Sequence, residues 1–240
     1  MNMKHPLVFF LSCAILVLFG CGGDTDDQLE LTYSSSSVAL SSSSSSVALS
    51  SSSSVDISGG ACGGVVTGSG TMTCDGQTYK TVQIGSQTWM AENLNYNAAG
   101  SRCYGDNTGN DSQNRCATYG RLYNWATALT VCPPGWHLPT DAEWTVLTDH
   151  VGSDAGTKLK ASSGWNSGGN GTDDFGFSAL PGGNGWSGNF FSVGSGGYWW
   201  SATEGDAGNA WSRYMNDNNS VVGRDYYGKG NLFSVRCLRE

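Results

Sequence analysis

The sequence is short of the residues that catalytic and metal sites most often require. One of its three histidines lies in the first 20 residues, and the remaining two, His137 and His150, are too few for a three-histidine metal site. No C-x-x-C pair occurs, which argues against a zinc-binding cysteine cluster. No G-x-S-x-G motif precedes a helix, so the serine nucleophile typical of α/β-hydrolases is absent. The sequence therefore predicts no catalytic residues and no metal ligands.

Basic residues are also scarce. The chain has 12 Lys and Arg against 20 Asp and Glu, a formal net charge of −8 at pH 7. Nucleic-acid binding depends on clustered cations that face the phosphates, and no basic stripe occurs, so nucleic acid is not expected as a partner. In the segment before residue 59, several acidic residues have no Lys or Arg between them: Asp24, Asp26, Asp27, Glu30 and Asp56.

No apolar run reaches the roughly 20 residues that a membrane-spanning helix needs. At the N-terminus, Lys4 is followed by an apolar run from Leu7 to Phe19, which is the form of a secretory leader. The run ends in Leu18-Phe19-Gly20-Cys21, which resembles a bacterial lipobox. We therefore predict a lipoprotein signal peptide at 1–20, lipidation of Cys21 and anchoring to a bacterial membrane, at the outer membrane or cell surface. An ordinary leader that leaves Cys21 as a free thiol is the alternative.

Residues 21–58 form an acidic, serine-rich tract in which Ser-Val-Ala-Leu-Ser occurs twice. Such a segment cannot bury enough apolar surface to offset its ordering entropy, so we predict a disordered tether. A chain of this kind spans about 30–35 Å on average, enough to hold a domain clear of a membrane surface. Residues 59–240 are long enough to form one domain with its own core.

Six cysteines remain if Cys13 is removed with the leader and Cys21 is lipidated. An even number in an exported chain indicates a disulfide framework, and six cysteines allow about 15 pairings. Two pairs bracket short polar loops, and the third would close a loop of about 100 residues, worth roughly 4.7 kcal/mol in the chain-entropy model. The spacing favours these pairs: Cys62–Cys74, Cys103–Cys116 and Cys132–Cys237.

The stretch from Cys132 to Trp144 predicts the start of a helix. Thr140 is a favourable N-cap, and Glu143 follows three residues later, where its carboxylate can reach back to the cap N–H. Gly152 is a natural stop. The residues that then share one helical face are apolar: Trp144, Leu147 and Val151.

Other segments show strand or helix patterns. Thr78–Ile84 alternates, Gly85-Ser86 forms a turn, and Gln87–Ala91 returns as a second strand. The spacing of Leu122, Trp125, Ala126 and Leu129 predicts a helix before Cys132. Ala155 and Leu159 predict a further helical turn. Later strand candidates are Phe175–Ala179, Tyr198–Thr203, Ala210–Met215, Val221–Tyr226 and Leu232–Leu238. Helices early and short strands late predict an α+β domain with many loops.

Several long motifs occur in the order typical of one family. Asp75–Gly85 and Gln87–Tyr96 open the series, followed by Tyr119–Trp125 and Cys132–Pro139. The remaining motifs are Gly171–Gly183, Tyr198–Glu204 and Ser234–Leu238. From about Cys74 to Glu240 the chain resembles the Fibrobacter succinogenes major paralogous domain.

That resemblance implies a C-type lectin-like fold, distantly similar to formylglycine-generating domains, with two helices, short antiparallel strands and the chain ends drawn together. Formylglycine-generating enzymes use a cysteine pair in the C-terminal half, and this chain has no cysteine between Cys132 and Cys237. The resemblance therefore implies no oxidase activity. It leaves open a binding or adhesion module, an enzyme or modifying factor, and a structural envelope protein that binds another protein.

Aromatic side chains in the loop-rich half make polysaccharide or a surface glycan the expected ligand, because exposed indoles stack on the apolar faces of sugars. Strand alternation at Trp199-Trp200 predicts one ring inside and one outside. Asp173-Asp174 can serve acid–base chemistry or cap a turn. No cofactor is expected; calcium bound through Asp106, Asn107, Asn110 and Asp111 is the minor alternative, since these residues lack EF-hand spacing. The candidate ligand-binding residues are Trp165, Trp186, Trp200, Trp211, Asp173, Asp174 and Glu204.

Overall fold

The computed structural model describes residues 66–68, 70–106 and 115–239. The predicted signal peptide and tether, Cys21, Cys62 and the loop residues proposed for calcium between 107 and 111 lie outside the described residues. The helices are α1 (Arg115–Tyr119), α2 (Trp125–Ala128), α3 (Asp141–Val151) and α4 (Ala155–Leu159), with a 3₁₀ turn at Asn166–Gly168.

Strands make up most of the regular structure in this part of the chain. They are β1 (Val66–Gly68), β2 (Thr71–Cys74), β3 (Gln77–Ile84), β4 (Gln87–Met90), β5 (Ser101–Arg102), β6 (Leu122–Tyr123), β7 (Gly182–Trp186), β8 (Asn189–Val193), β9 (Gly196–Glu204), β10 (Asn209–Asn216), β11 (Gly223–Gly228) and β12 (Leu238–Arg239).

Within the described residues these strands form two five-stranded sheets and one two-stranded sheet. The first large sheet has the order β1-β2-β3-β4-β12 and the second has the order β11-β10-β9-β7-β8. Strands β5 and β6 pair separately. The α+β expectation therefore holds only in part, because the sheets dominate and the helices are few and short.

The first sheet contains hairpins whose two-residue turns each include a glycine. Asp75 and Gly76 both have positive φ, 49° and 75°, as a two-residue hairpin turn between β2 and β3 requires. The predicted Gly85-Ser86 turn joins β3 to β4, with Ile84 paired to Gln87. Strand β12 then pairs with β4, so the end of the described chain completes the sheet that the first four strands form.

The predicted cap of α3 is confirmed in full. The Thr140 side chain accepts a hydrogen bond from the Glu143 N–H at 3.2 Å, and the Glu143 carboxylate accepts one from the Thr140 N–H at 2.6 Å. The helix ends at Val151, and Gly152 follows with φ 77°. The predicted apolar face is buried against Trp89 and Phe177 from other elements.

Two hydrophobic clusters lie on opposite sides of β9. Trp199 belongs to one cluster and Trp200 to the other, so strand alternation is correct. The prediction that one of the two rings is exposed is nevertheless wrong, because both are 0% exposed. Trp200 lies 4.4 Å from Phe233 between ring centroids, and Trp199 lies 6.5 Å from Trp144.

Some element predictions differ from the structure. Phe175–Ala179 is a turn instead of a strand, with Asp173 and Gly176 at positive φ. The helix before Cys132 covers only Trp125–Ala128, and Leu122 belongs to β6. The β7–β8 hairpin is absent from the sequence predictions because β7 is rich in glycine and β8 lacks apolar alternation.

Two of the predicted disulfides are present. Cys103 bonds to Cys116, and Cys132 bonds to Cys237 across 105 residues. Cys74 is also disulfide-bonded, and its predicted partner Cys62 lies outside the described residues. None of the helices described above is long and apolar enough to cross a membrane.

Candidate ligand-binding cleft

A surface cleft of about 460 Å³ opens beside the tip of the β7–β8 hairpin. The hairpin forms one wall, and the segment around β5 forms the wall facing it. This combination of apolar, amide and charged groups in a concave site is typical of ligand pockets. The side chains that supply it are Arg102, Asp106, Asn124, Asn189, Phe190 and Leu232.

The hairpin tip is fixed by backbone conformation. Ser187 and Gly188 both have positive φ, 48° and 78°, and Trp186 pairs with Asn189 on either side of them. A two-residue turn of this kind matches the twist of its strands. It places Asn189 in the cleft wall and leaves the Trp186 side chain, next to the lining residue Ser187, 50% exposed.

Trp186 lies on a surface of glycine. A Cβ added at Gly230, which lines the cleft, would stand 3.3 Å from the indole, and one added at Gly228 would stand 4.0 Å from it. Because neither residue carries a side chain, the indole packs directly on the backbone of the β11–β12 connection. The glycine backbone lies against the Cζ3–Cη2 edge of the indole, and the side chain remains half exposed beside the cleft.

Lys229, between these two glycines, anchors that connection. Its ammonium group donates to Glu204 and to the Ala207 carbonyl, the latter at 3.0 Å, and lies 4.7 Å from the centroid of Trp125. Its backbone N–H donates to the Gly208 carbonyl at 2.9 Å. The support under Trp186 is therefore tied to the β9–β10 turn.

The β9–β10 turn is itself held by Asp206. The hydrogen bond that the Asn209 side chain donates, with that from the Gly208 N–H, keeps the pKa of Asp206 below its usual value. Asp206 is thus a structural acceptor in the turn to which Lys229 is attached.

The Phe190 side of the cleft has an aromatic backing. The Tyr104 ring lies 5.3 Å from the Phe190 ring, and the Arg115 guanidinium lies 5.0 Å above Tyr104. Gly183 makes the approach feasible, because a Cβ at that position would come within 2.7 Å of the Tyr104 ring. Gly183 therefore lets β7 come close to the ring that packs against the cleft wall.

Two of the predicted binding residues belong to the core. Trp165 is 5% exposed and its indole N–H donates to the Ala179 carbonyl at 3.0 Å. Trp200 is 0% exposed and donates to the Tyr123 carbonyl at 2.8 Å. Neither indole can stack on a ligand, because each is covered by protein and its polar group is already bonded.

The other predicted residues lie apart from the cleft lining. Trp211 is half-buried beneath Arg224, whose guanidinium is 3.4 Å from the ring centroid. Asp173 accepts the Ser178 N–H at 2.7 Å, so it caps a turn as the alternative interpretation proposed. Asp174 is exposed, and Glu204 is paired with Lys229.

Sequence reasoning missed most of the cleft. The sequence predictions do not include Arg102, Asn189, Phe190 or Leu232, although they include Trp186, next to the hairpin tip. The available signal was the Asn/Gly-rich run Gly182–Asn189, which resembles a loop and contains a hairpin. In the described part of the chain, no group of three or more His, Cys, Asp or Glu could hold a metal ion.

The model of the Fibrobacter succinogenes major domain matches residues 82–239. The chain belongs to this family. The Fibrobacter succinogenes major domain therefore includes every residue that lines the cleft, as well as Trp186. No curated protein and no solved structure matches the chain.

Proposed function

We propose that this protein is a surface-anchored lipoprotein whose domain is a non-catalytic binding or adhesion module for polysaccharide or a surface glycan. The observation that carries the proposal is the half-exposed Trp186 indole, supported from below by glycine backbone, beside a cleft lined by Asn124 and Asn189. An indole face suits the apolar face of a pyranose, and neighbouring amides suit its hydroxyls.

The anchoring part of the proposal rests on the sequence. The lipobox-like segment before Cys21 supports lipidation, and the serine tract supports a tether that presents the domain away from the membrane. A C-type lectin-like fold is part of the same proposal and is supported by the family motifs. No cofactor is proposed, because the cleft offers a sugar ligand a ring and amides without needing an ion.

The enzyme alternative has less support. Asp173 is engaged by Ser178 and Glu204 by Lys229, and neither carboxylate is among the residues that line the cleft. A structural role in binding another protein is the other alternative, and a protein that none of the polysaccharides in the following test retains would favour it.

The test is retention of the full-length mature protein on a panel of insoluble polysaccharides. Replacing Trp186 by Ala is expected to weaken retention about tenfold, equivalent to ~1.4 kcal/mol, because the stacking surface is lost. The matched control is Val146→Ala, an apolar side chain on α3 that is 49% exposed and lies outside the cleft lining. Equal retention by wild type and the Trp186 variant would remove the glycan proposal.

A further inference from the structure

We propose that the ligand of the cleft is an acidic glycan, and that Arg102 binds the carboxylate of a uronic acid residue. This inference rests on the proposed function, since it names the chemical class of the ligand for the same cleft. It adds a second contact, electrostatic in kind, to the stacking surface of Trp186.

Arg102 is the first observation. Its side chain lines the cleft and is exposed, and its Nη1 donates to the neighbouring Ser101 carbonyl at 2.9 Å. The ion pairs found among the described residues all involve other cations, so no described carboxylate neutralises Arg102. A guanidinium has five N–H donors, and most of those on Arg102 remain for a ligand.

The wall behind Arg102 adds to the positive field. Arg121 donates from Nε to the Ser101 hydroxyl at 2.8 Å, and its Nη1 lies 3.4 Å from the Cys103 sulfur. Two guanidinium groups therefore contact the same residue, Ser101, one at its carbonyl and one at its hydroxyl. No ion pair of Arg121 occurs within the described residues either.

Asp106 is the acidic group in the same cleft. It is 4% exposed, so its carboxylate is largely shielded from an incoming ligand. Its backbone N–H donates to the Cys103 carbonyl at 3.1 Å, which fixes the turn after β5. The exposed charge of the cleft is consequently that of Arg102.

The geometry of the groups favours a carboxylate on a sugar ring. A guanidinium binds a carboxylate through two parallel hydrogen bonds, which are stronger than bonds to neutral hydroxyls. A neutral glycan that covered Arg102 would desolvate its charge without compensation. A sugar whose ring stacks on Trp186 and whose hydroxyls bond to Asn189 leaves Arg102 to pair with a carboxylate. A uronate supplies that carboxylate.

The experiment compares two polysaccharides with the same backbone. The full-length mature protein is tested in affinity electrophoresis against polygalacturonate and against its fully methyl-esterified form, in which the carboxylates carry no charge. Wild type is expected to bind the acid at least tenfold more tightly than the ester, and this preference is expected to decline with added salt. Arg102→Gln is expected to abolish the preference, and Arg102→Lys to retain part of it.

The control is Lys80→Gln, which removes an exposed cation from β3, outside the cleft lining. Thermal unfolding of each variant confirms that folding is intact, since Arg102 is exposed. The inference is overturned if wild type binds acid and ester equally, or if the Arg102→Gln variant keeps the preference. If the protein retains neutral polysaccharides and this retention depends on Trp186 alone, the proposal of an acidic ligand fails and the proposed glycan-binding function stands. If the protein retains no glycan, both proposals fail.

Discussion

At the scale of single residues, Arg236 is the clearest case of a charge used for structure. It is fully buried, and its guanidinium donates to the side-chain oxygen of Asn93 at 2.9 Å and to the Ser178 carbonyl at 2.8 Å. It also donates to the carbonyls of Met90 and Phe177. One side chain thereby satisfies acceptors on β4, on the segment after it and on the 173–178 turn.

The charge of Arg236 is not neutralised by a direct ion pair among the described residues. Burial lowers the pKa of Arg236 to about 9, and the attraction of Asp173 and Glu92 opposes that shift. The guanidinium also lies 4.3 Å from the Phe177 ring centroid, a cation–π contact that helps a buried cation. Its role is to join three segments that share no regular strand pairing.

Replacing Arg236 by Leu is expected to destabilise the fold by about 3 kcal/mol, because several buried carbonyl groups lose their donor. Arg236→Lys is expected to recover only part of the loss, since an ammonium cannot reach four acceptors in one plane. Urea unfolding measures both changes. Arg239→Leu serves as control, because Arg239 is half-buried and contacts the Trp136 ring. Equal losses for the two Leu variants would contradict the role assigned to Arg236.

The tryptophans show where residue-level prediction ends. Local alternation correctly places Trp199 and Trp200 on opposite sides of β9, but exposure depends on whether a second layer covers each side. Phe233, from a segment more than 30 residues later, covers Trp200. Trp186 stays 50% exposed, and Gly228 and Gly230 present only backbone to its indole. Neither fact is contained in the residues next to each tryptophan.

At the scale of elements, α3 combines a capping box with a titrating group. Burial by itself would raise the pKa of Glu143, but the hydrogen bonds from Thr140 and from His137 outweigh it, so the pKa lies below the ordinary 4.5. His137 Nε2 stands 2.8 Å from the Glu143 carboxylate. Since the ionised form is favoured in the folded state, Glu143 stabilises the fold above its unfolded pKa and loses that effect as pH falls through the folded value.

Replacing Glu143 by Gln is therefore expected to destabilise the protein by about 1 kcal/mol at pH 7, and by clearly less at pH 3, where the wild-type carboxyl is protonated. Chemical denaturation at both pH values measures the difference. Asp149→Asn, an exposed acidic position later in the same helix, provides the comparison. A Glu143 variant whose destabilisation is the same at pH 7 and pH 3 would show that ionisation of this group does not contribute.

The elements that the sequence predicts correctly have local signals. The α3 helix has a cap and an apolar face within 13 residues, and β3 and β4 alternate about a two-residue turn. The β7–β8 hairpin has no such signal, because Gly182, Gly183 and Gly185 are selected by what lies against them. A Cβ on Gly183 would stand 2.4 Å from the Phe191 carbonyl oxygen. The sequence predictions lack the cleft because its hairpin depends on close approach of backbone and side chains to glycine, which a hydrophobic pattern does not show.

At the scale of the whole molecule, the segment from Leu232 to Leu238 joins the two large sheets. Its residues form successive single bridges, Gly185 with Leu232 and Trp199 with Ser234 in the second sheet, before Leu238 pairs with Trp89 in the first. The sequence predicted one regular strand here. The structure instead uses each residue for a different partner, which alternation alone cannot reveal.

The Cys132–Cys237 disulfide secures this joining segment. It connects the chain before α3 with the last described strand across 105 residues, whereas Cys103–Cys116 spans 13. In the chain-entropy model, closing the longer loop stabilises the folded state by about 4.7 kcal/mol and the shorter one by about 3 kcal/mol. The bond also lies next to Arg236, so its loss would loosen the segment that bonds to both sheets.

We therefore expect the Cys132→Ser/Cys237→Ser double variant to lose more stability than the Cys103→Ser/Cys116→Ser variant, by about 1–2 kcal/mol. Urea unfolding followed by far-ultraviolet circular dichroism compares them with wild type under oxidising conditions. The cleft lies between β5 and the β7–β8 hairpin, and Cys103 directly follows the cleft residue Arg102. For the same loss of stability, the Cys103→Ser/Cys116→Ser variant should therefore lose more glycan retention than the Cys132→Ser/Cys237→Ser variant. The reverse order of the two stability losses would mean that strain or residual structure in the unfolded chain, and not loop closure, determines what each bond contributes.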